Sequence, residues 1–322
     1  SELHKSLENS YMKCQRPSML KLINTIGLNG SKLLIKAGLF NSLWEKLEKQ
    51  FSDVRLRQLF GRYATYCGSS PWQAPSTLML IWDVEMRGVW SVEGGVISLA
   101  RAMRKLAEKN GVTFFNNSCE EILSYGGKIT GVRLDNDNHI LADKIVFNGD
   151  YSDLNSYLLN NNIKDKRHYQ IEKNRSLSAI TWMTKNKTSG FKLSRHNVFF
   201  NSQYQKEFSD IFKKGIIPTN PTVYLCAQDR IDDHVDSLSE EERLFLLINA
   251  PPNGDFATIT ETEMEKCQAS VFALLNKCGL QIEGGQPRLS TQTPKDFHLK
   301  FPGTGGALYG RPTHGWMSPF MR

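Results

Sequence analysis

Paired cysteines, metal-ligand clusters and long apolar runs are all scarce in this sequence. The 322 residues include 6 cysteines, none in a CxxC spacing and none with a histidine at the interval of a zinc ligand. A chain this long needs no disulfide framework to stabilise its core, so we expect free, mostly buried thiols in a reducing compartment. The longest purely apolar runs, such as residues 244–248, fall far short of the about 18 residues that span a membrane. We therefore expect no membrane-crossing segment and no metal site.

The usual catalytic motifs are also missing. The sequence contains no GxSxG, no HExxH, no Walker loop and no GxGxxG. A glycine-rich segment at residues 303–306 follows a proline and lacks a lysine, which is typical of a plain loop rather than a phosphate cradle. The isolated His196, His298 and His314 are interpreted as hydrogen-bonded structural histidines. Pattern alone therefore assigns no catalytic residue.

Positive charge exceeds negative charge, with 40 Lys and Arg against 33 Asp and Glu, which gives +7 at pH 7. The basic residues are mixed with acids, and no helix-turn-helix, zinc-finger or RNA-binding motif is present, so we expect no nucleic-acid partner. One basic stretch decorates two predicted helices and the segment before them. It is either the solvated face of packed helices or a surface that meets anionic lipid. Its members are Lys13, Arg16, Lys21, Lys32, Lys36, Lys46 and Lys49.

Hydrophobic periodicity predicts a helical beginning and a mixed remainder. The predicted helices are residues 17–51 with a break at 27–30, residues 53–66, the stretch from Pro75 to Gly88, and residues 96–109 and 261–278. The predicted strands are residues 112–115, 121–125, 128–134, 142–148, 179–184, 197–201, 222–227 and 244–250. The middle strands form a small antiparallel meander, and the last four can build a second antiparallel sheet. These patterns indicate a two-layer α/β or α+β protein.

Aromatic side chains are dense between residues 60 and 90. Large rings seek the core, so packing explains such a run, but a tunnel for an apolar ligand is the alternative. The residues are Phe60, Tyr63, Tyr66, Trp72, Trp82 and Trp90.

Several segments, taken in order, resemble the middle of the phytoene-desaturase-type flavoproteins of the amine oxidase superfamily. They are residues 93–95, 99–102, the strand ending at Phe115, and residues 119–122, 131–134 and 142–150. A further set is similar to the 1-hydroxycarotenoid desaturase subgroup of photosynthetic bacteria. That set is residues 56–66, 196–200, 223–230 and 303–310. The resemblance runs through nearly the whole chain from about residue 50 onward.

The resemblance implies an α/β, amine-oxidase-like fold with an FAD-binding part and an α+β substrate domain. The family's N-terminal Rossmann fingerprint and C-terminal FAD segment do not occur here. The sequence also begins without a methionine and stops in an unfinished stretch at Met321-Arg322, so we expect an internal piece of a longer protein. The implied domains are a helical, membrane-facing region 1–90, the central FAD-domain part 91–150, the substrate domain 151–300 and a returning segment 301–322.

The resemblance also implies FAD as cofactor and names residues near it. Gly94 and Gly95 would let the backbone approach FAD closely, because a side chain there would collide with it. Cys119, which stands where relatives usually have valine, would lie beside the adenine through its main chain. Asn148 and Gly149 end a strand near the nucleotide. No metal ligand and no catalytic side chain are implied.

The implied activity is removal of two hydrogens across a C–C bond of a carotenoid such as a 1-hydroxycarotenoid, with the flavin taking a hydride. Five of the aromatic residues become candidates for the substrate channel: Phe60, Tyr63, Trp72, Trp82 and Trp90. We expect a cytoplasmic protein bound peripherally to the inner, or chromatophore, membrane. The alternatives are a carotenoid isomerase, another flavin-dependent carotenoid oxidoreductase, or a non-catalytic lipid- or carotenoid-binding module. Oligomeric state, electron acceptor and the oxidised bond are left open.

Overall fold

A computed structural model describes residues 41–154, 174–230, 241–283, 290–315 and 318. In these ranges, helices dominate before the first strand and are interspersed among strands after it. The α-helices are α1 Leu43–Gln50, α2 Val54–Gly61, α3 Leu80–Glu85, α4 Val96–Lys109, α5 Tyr204–Ser209, α6 Glu261–Lys277 and α7 Pro294–Lys300. Short 3-10 helices cover Arg62–Cys67, Ser76–Met79 and Tyr151–Asp153. A π-helical turn, Asp210–Lys214, follows α5.

The strands form three antiparallel sheets. A meander pairs β1, β2 and β3, a five-stranded sheet has the order β10-β4-β8-β7-β6, and β5 pairs with β9. The strands are β1 Cys119–Tyr125, β2 Lys128–Leu134, β3 His139–Leu141, β4 Ser178–Asn186, β5 Thr188–Gly190, β6 His196–Phe199, β7 Val223–Ala227, β8 Glu242–Ala250, β9 Leu280–Ile282 and β10 Ser290–Gln292.

One face of the five-stranded sheet forms the main core. The even-numbered side chains of β8, from Leu244 to Ile248, are at most 1% exposed and share a buried cluster with Val271 and Leu275 of α6. Both helix residues lie on the apolar stripe predicted from the sequence. The Thr260 hydroxyl accepts from the Glu263 amide, and the Glu263 carboxylate accepts from the Thr260 amide, so a capping box fixes where α6 begins.

The helical beginning has its own small core. Leu43 and Leu47 of α1 are fully buried with Ala64 and Ala74. Ser42 caps α1 by accepting from the Glu45 amide at 3.2 Å, and this cap sets the start of the helix. The first half of the predicted helical pair, together with Lys13, Arg16, Lys21, Lys32 and Lys36 of the basic stretch, lies outside the described residues.

Two predicted strands are wrong. Residues 112–115 and 142–148 have no strand conformation, and the third strand of the meander is the earlier His139–Leu141. A strand needs a neighbour to receive its hydrogen bonds. The Ala142 amide donates to the Thr130 carbonyl oxygen of β2 at 3.0 Å, but neither segment is a strand of a described sheet. Phe115 is 57% and Val146 is 92% exposed. These segments do carry apolar side chains, but no described residue buries Phe115 or Val146.

Two further sequence-based expectations are modified. The predicted helix 53–66 is α-helical only as far as Gly61 and continues as the 3-10 helix. Of the five described cysteines all are free thiols, as expected, but only Cys226 and Cys267 are buried. No described helix combines the length and the apolar character needed to cross a bilayer.

Candidate functional site

A cleft of about 470 Å³ lies beside the β1–β2 hairpin, and we call it the hairpin cleft. It brings together three of the five residues expected near a cofactor, which are Cys119, Asn148 and Gly149. Its lining combines apolar side chains with the carboxylates of Asp150 and Asp153 and one lysine, Lys300. The lining residues are Ser118, Cys119, Ile122, Val132, Ile145, Val146, Phe147, Asn148, Gly149, Asp150, Asp153, Lys300, Phe301 and Pro302.

Cys119 begins β1 and contributes its backbone and a half-buried thiol to this cleft. Its Sγ lies 3.7 Å from the Glu121 carbonyl oxygen, to which it donates. Burial raises the pKa of the Cys119 thiol, so the group stays protonated near neutral pH and is a poor nucleophile. This environment suits a packing or main-chain role at the cleft, not covalent catalysis.

The opposite wall is the stretch from Asn148 to Asp150, which a tight turn holds in place. Asp150 Oδ1 accepts from the Ser152 amide at 2.8 Å and from the Ser152 hydroxyl at 2.5 Å, which caps the following 3-10 turn. A Cβ on Gly149 would meet the Phe147 ring at 2.6 Å. The absence of a side chain at Gly149 therefore lets the Phe147 ring close over the backbone.

Gly94 and Gly95 are placed elsewhere. They are not among the lining residues of the hairpin cleft; they form the turn that leads into α4, with φ of +72° and +80°. A Cβ on Gly95 would have no atom within 4 Å. The structure thus leaves open space at Gly95, at the start of α4, where the helix dipole favours a partially negative group; of the first-turn amides, that of Ser98 already donates to the Gly95 carbonyl oxygen at 3.0 Å.

The second face of the five-stranded sheet is only partly covered, and we call it the open sheet face. In antiparallel strands, directly paired residues share a face, so the register defines two rows across it. One row runs through Val198, Tyr224, Leu247 and Thr181, and the other through His196, Cys226, Phe245 and Met183. Met183 is 40% exposed, whereas Thr181 is nearly buried. In these two rows the polar side chains are His196 and Tyr224 at the β6–β7 edge and Thr181 on β4, and the residues between them are apolar or cysteine.

That edge carries two rings in hydrogen-bond contact. His196 Nδ1 and the Tyr224 hydroxyl are 2.8 Å apart, and the ring planes are nearly parallel with centroids 6.1 Å apart. Tyr66 lies close enough to Tyr224 to contribute to the raised pKa of its phenol, although burial is the larger cause.

Tyr63 and Tyr66 share one carboxylate. The Tyr63 hydroxyl donates to Glu85 Oε2 at 2.5 Å, and the Tyr66 hydroxyl donates to Glu85 Oε1 at 3.4 Å. Burial and then the bond to Glu85 raise the pKa of Tyr63, so both phenols stay neutral donors at physiological pH. The shared acceptor fixes the two rings, which stack 5.7 Å apart.

The aromatic residues expected to line one substrate channel fall into separate places. Phe60 stacks on Phe51 at 5.1 Å in the small helical core and meets the half-exposed Trp82 edge-on. Trp72 packs 4.5 Å from Trp44 and lines a different cleft of about 570 Å³. Trp90 is 81% exposed. The described residues do not gather these five rings along one wall.

Sequence reasoning missed the open sheet face. The signal was present in β8, where residues 244–248 are apolar without alternation. A strand that is apolar on both sides is expected to be covered on both sides, and only one of its faces is covered by α6. Among the described residues, no group of three or more metal-ligating side chains is assembled.

No family model matches this sequence. A hydroxyneurosporene desaturase of Rubrivivax gelatinosus is 45% identical over all 322 residues, which is 61% of that protein. A 1-hydroxycarotenoid 3,4-desaturase of Flavobacterium sp. (strain P99-3) is 30% identical over 99% of this chain and 67% of that protein. The chain thus spans less than two thirds of the first of these relatives.

Solved structures show the same fold at much lower identity. An oxidoreductase from Methanosarcina mazei matches 91% of this chain and 72% of its own with a TM-score of 0.51 and 14% identity. A redesigned putrescine oxidase matches 99% and 63%, respectively, with a TM-score of 0.52 and 12% identity. At such identities the likeness concerns the fold alone. The expectation of an α/β fold like that of the amine oxidases is confirmed.

Proposed function

The chain belongs to the carotenoid desaturase family, and from this membership we propose that the protein containing it is an FAD-dependent desaturase of a carotenoid such as a 1-hydroxycarotenoid. The observation that carries the proposal is the 45% identity to a hydroxyneurosporene desaturase over the whole chain. Because the chain spans 61% of that relative, the activity is assigned to the complete protein, not to these residues alone.

The open sheet face supports a long hydrocarbon substrate. Such a molecule has few polar groups, so its binding depends on the apolar area that it buries. Phe245, Leu247 and Met183 offer an apolar surface that is half-buried to exposed and that the described chain leaves accessible on one side. We assign the carotenoid to this face, with Tyr63 and Tyr66 at its border.

The hairpin cleft fits part of FAD. An apolar lining with backbone at Cys119 and at Asn148-Gly149 suits the planar base of a nucleotide. The open space at Gly95 and the positive end of the helix dipole of α4, which no side chain caps, would suit a diphosphate. These residues would hold one side of the cofactor, and the bound FAD would supply the oxidant that takes a hydride while a proton leaves the adjacent carbon. The residues of this chain would exclude water from the apolar carotenoid and orient it.

Peripheral membrane association is part of the proposal, because a carotenoid dissolves in the bilayer. Lys46 and Lys49 lie on α1, and the rest of the basic stretch lies outside the described residues. We assign the protein to the cytoplasmic side of the inner membrane. Sedimentation with anionic liposomes tests this: binding is expected to weaken as salt rises, and retention that does not change with salt contradicts an electrostatic contribution.

Product analysis tests the activity. The complete protein, purified with its flavin, is given 1-hydroxyneurosporene, and we expect a product with one more double bond, a mass lower by two hydrogens and red-shifted absorption. An isomerase would leave the mass unchanged, another oxidoreductase could add oxygen, and a binding module would leave the pigment unaltered. An unchanged double-bond count with flavin bound contradicts the proposal.

A further inference from the structure

His196 and Tyr224 form a polar corner of the open sheet face, next to the apolar side chains of Phe245, Leu247 and Met183. His196 begins one row of the open sheet face on β6, Tyr224 lies in the neighbouring row on β7, and their contact of 2.8 Å uses Nδ1 of the imidazole. His196 is exposed, and its hydrogen bond within the described residues uses Nδ1, so the other ring nitrogen, Nε2, is available to a ligand.

Both groups are neutral at physiological pH. Burial, and after it the positive charge of Arg195, lower the pKa of His196 below its ordinary value. Burial raises the pKa of the Tyr224 phenol. Arg195 itself donates to the Arg230 carbonyl oxygen at 2.8 Å, which holds that guanidinium in place. The corner therefore offers hydrogen bonds without a net charge of its own, which suits a neutral polar ligand.

The hydrogen bond between Nδ1 and Tyr224 determines whether Nε2 of His196 is a donor or an acceptor. When Nδ1 accepts from Tyr224, Nε2 carries the proton and donates; when Nδ1 donates, Nε2 accepts. An alcohol is both donor and acceptor, so it satisfies either tautomer. A hydrocarbon end would cover Nε2 and strip it of water without replacing the bond, which is unfavourable.

We propose that His196, oriented by Tyr224, binds the hydroxyl group of a hydroxylated isoprenoid whose hydrocarbon part lies along the open sheet face. This assignment rests on the proposed function, and it adds the residue that selects hydroxylated over unhydroxylated substrate. Phe245 and Met183 continue the row that starts at His196, so a rod anchored at His196 can follow apolar side chains across the sheet. Discrimination of this kind is strong because the penalty falls on the ligand that lacks the hydroxyl.

The test compares 1-hydroxyneurosporene with neurosporene in the complete, flavin-loaded protein. The ratio of the two kcat/KM values is expected to favour the hydroxylated pigment by about tenfold, and His196→Phe is expected to bring that ratio close to one. His196→Gln, which keeps a hydrogen-bonding group on the side chain, should retain part of the preference. Tyr224→Phe should reduce it by releasing the imidazole.

His139→Phe is the matched control, because His139 is an exposed histidine on another strand, β3. Its ratio is expected to equal that of the unchanged protein, and all variants are compared at equal melting temperature and flavin content. Equilibrium binding of both pigments is measured in parallel. If no pigment is desaturated, the proposed function fails, but a binding preference lost in His196→Phe still supports the hydroxyl site. A preference that survives His196→Phe overturns it.

Discussion

Arg230, just after β7, and Glu242, at the start of β8, form a buried bidentate ion pair. Nε and Nη2 of the guanidinium lie 2.8 and 2.7 Å from the two carboxylate oxygens, and both side chains are at most 3% exposed. The Thr188 hydroxyl donates to Oε1 of Glu242 at 2.7 Å, and Arg230 donates to the Leu193 carbonyl oxygen at 2.6 Å. The pair thus connects the main sheet to β5 and to the segment before β6.

Glu242→Gln is expected to destabilise the fold, because it leaves the Arg230 charge buried without a counter-charge. Loss of one partner of a buried pair costs about 3–5 kcal/mol, and Glu241→Gln on the exposed neighbour should cost less than about 1 kcal/mol. The Glu241 control breaks only a surface contact of 3.8 Å to Lys185. Urea unfolding of the two variants measures the difference; equal midpoints would show that the buried pair contributes nothing.

The Arg230–Glu242 pair also predicts how the stability of the fold decreases at acid pH. Burial alone would raise the pKa of Glu242, but the bonds from Arg230 and Thr188 outweigh it and hold the pKa below 4.5. A depressed carboxyl pKa stabilises the fold above the unfolded-state value of about 4.3, and that stability is lost as pH falls through the folded value. Glu242→Gln should therefore flatten the decline in melting temperature below pH 4.5. An unchanged acid limb would contradict this.

Gly306, in the glycine-rich loop that follows α7, is at a position that only glycine fits without strain. Gly306 has a φ of +82°, and a Cβ there would lie 2.2 Å from the Pro294 carbonyl oxygen. Gly215 has a φ of +65° but open space around its Cβ, so Gly215→Ala carries the backbone strain without the clash. Gly306→Ala is expected to lower stability by about 1–3 kcal/mol more than Gly215→Ala, by calorimetry. If the two variants lose similar amounts of stability, the loss comes from the positive φ alone and the clash with Pro294 contributes nothing.

Local signals in the sequence were sufficient for some elements. α6 is framed by a capping box at Thr260 and Glu263 and stopped by Gly279, so its bounds follow from residues within the helix itself. The β1–β2 hairpin follows in the same way from Gly126-Gly127 between two alternating segments. Where the determinants are neighbours in sequence, the prediction holds.

Other features depend on residues far apart in the chain. The open sheet face follows from the register that pairs Tyr224 with Leu247 and Phe245 with Met183, and no local pattern specifies such pairing. The 3-10 helix after Gly61 lies where a Cβ on Gly61 would be 3.3 Å from the Pro71 ring, a contact that propensity does not contain. Cys119, Asn148 and Gly149, which lie together in the hairpin cleft, were named only through family resemblance, and their role at a cofactor stays a prediction.

Comparing Trp72 with Trp90 tests whether a tryptophan of this region stabilises the fold or binds substrate. Trp72 contacts Trp44, Tyr204 and Phe208, with centroids no more than 5.9 Å apart, whereas Trp90 is 81% exposed. Trp72→Ala is expected to cost about 3–5 kcal/mol, and Trp90→Ala to leave the melting temperature nearly unchanged. If Trp90 lines the channel in the complete protein, its variant instead raises KM for the carotenoid. A stable Trp72→Ala protein would contradict the packing role.

Gly95 tests where the cofactor lies. Gly95 and Gly111 flank α4, both have φ between +80° and +85°, and a Cβ on either would meet no atom within 4 Å. Alanine at each position therefore imposes similar backbone strain, and the two variants differ only in what occupies the space beyond the described chain. We expect Gly95→Ala to lower the flavin content of the purified complete protein, because its methyl group enters the volume assigned to FAD. Gly111→Ala should retain flavin at equal or lower melting temperature. Equal flavin content in the two variants would place the cofactor away from α4 and restrict the cofactor assignment to the hairpin cleft.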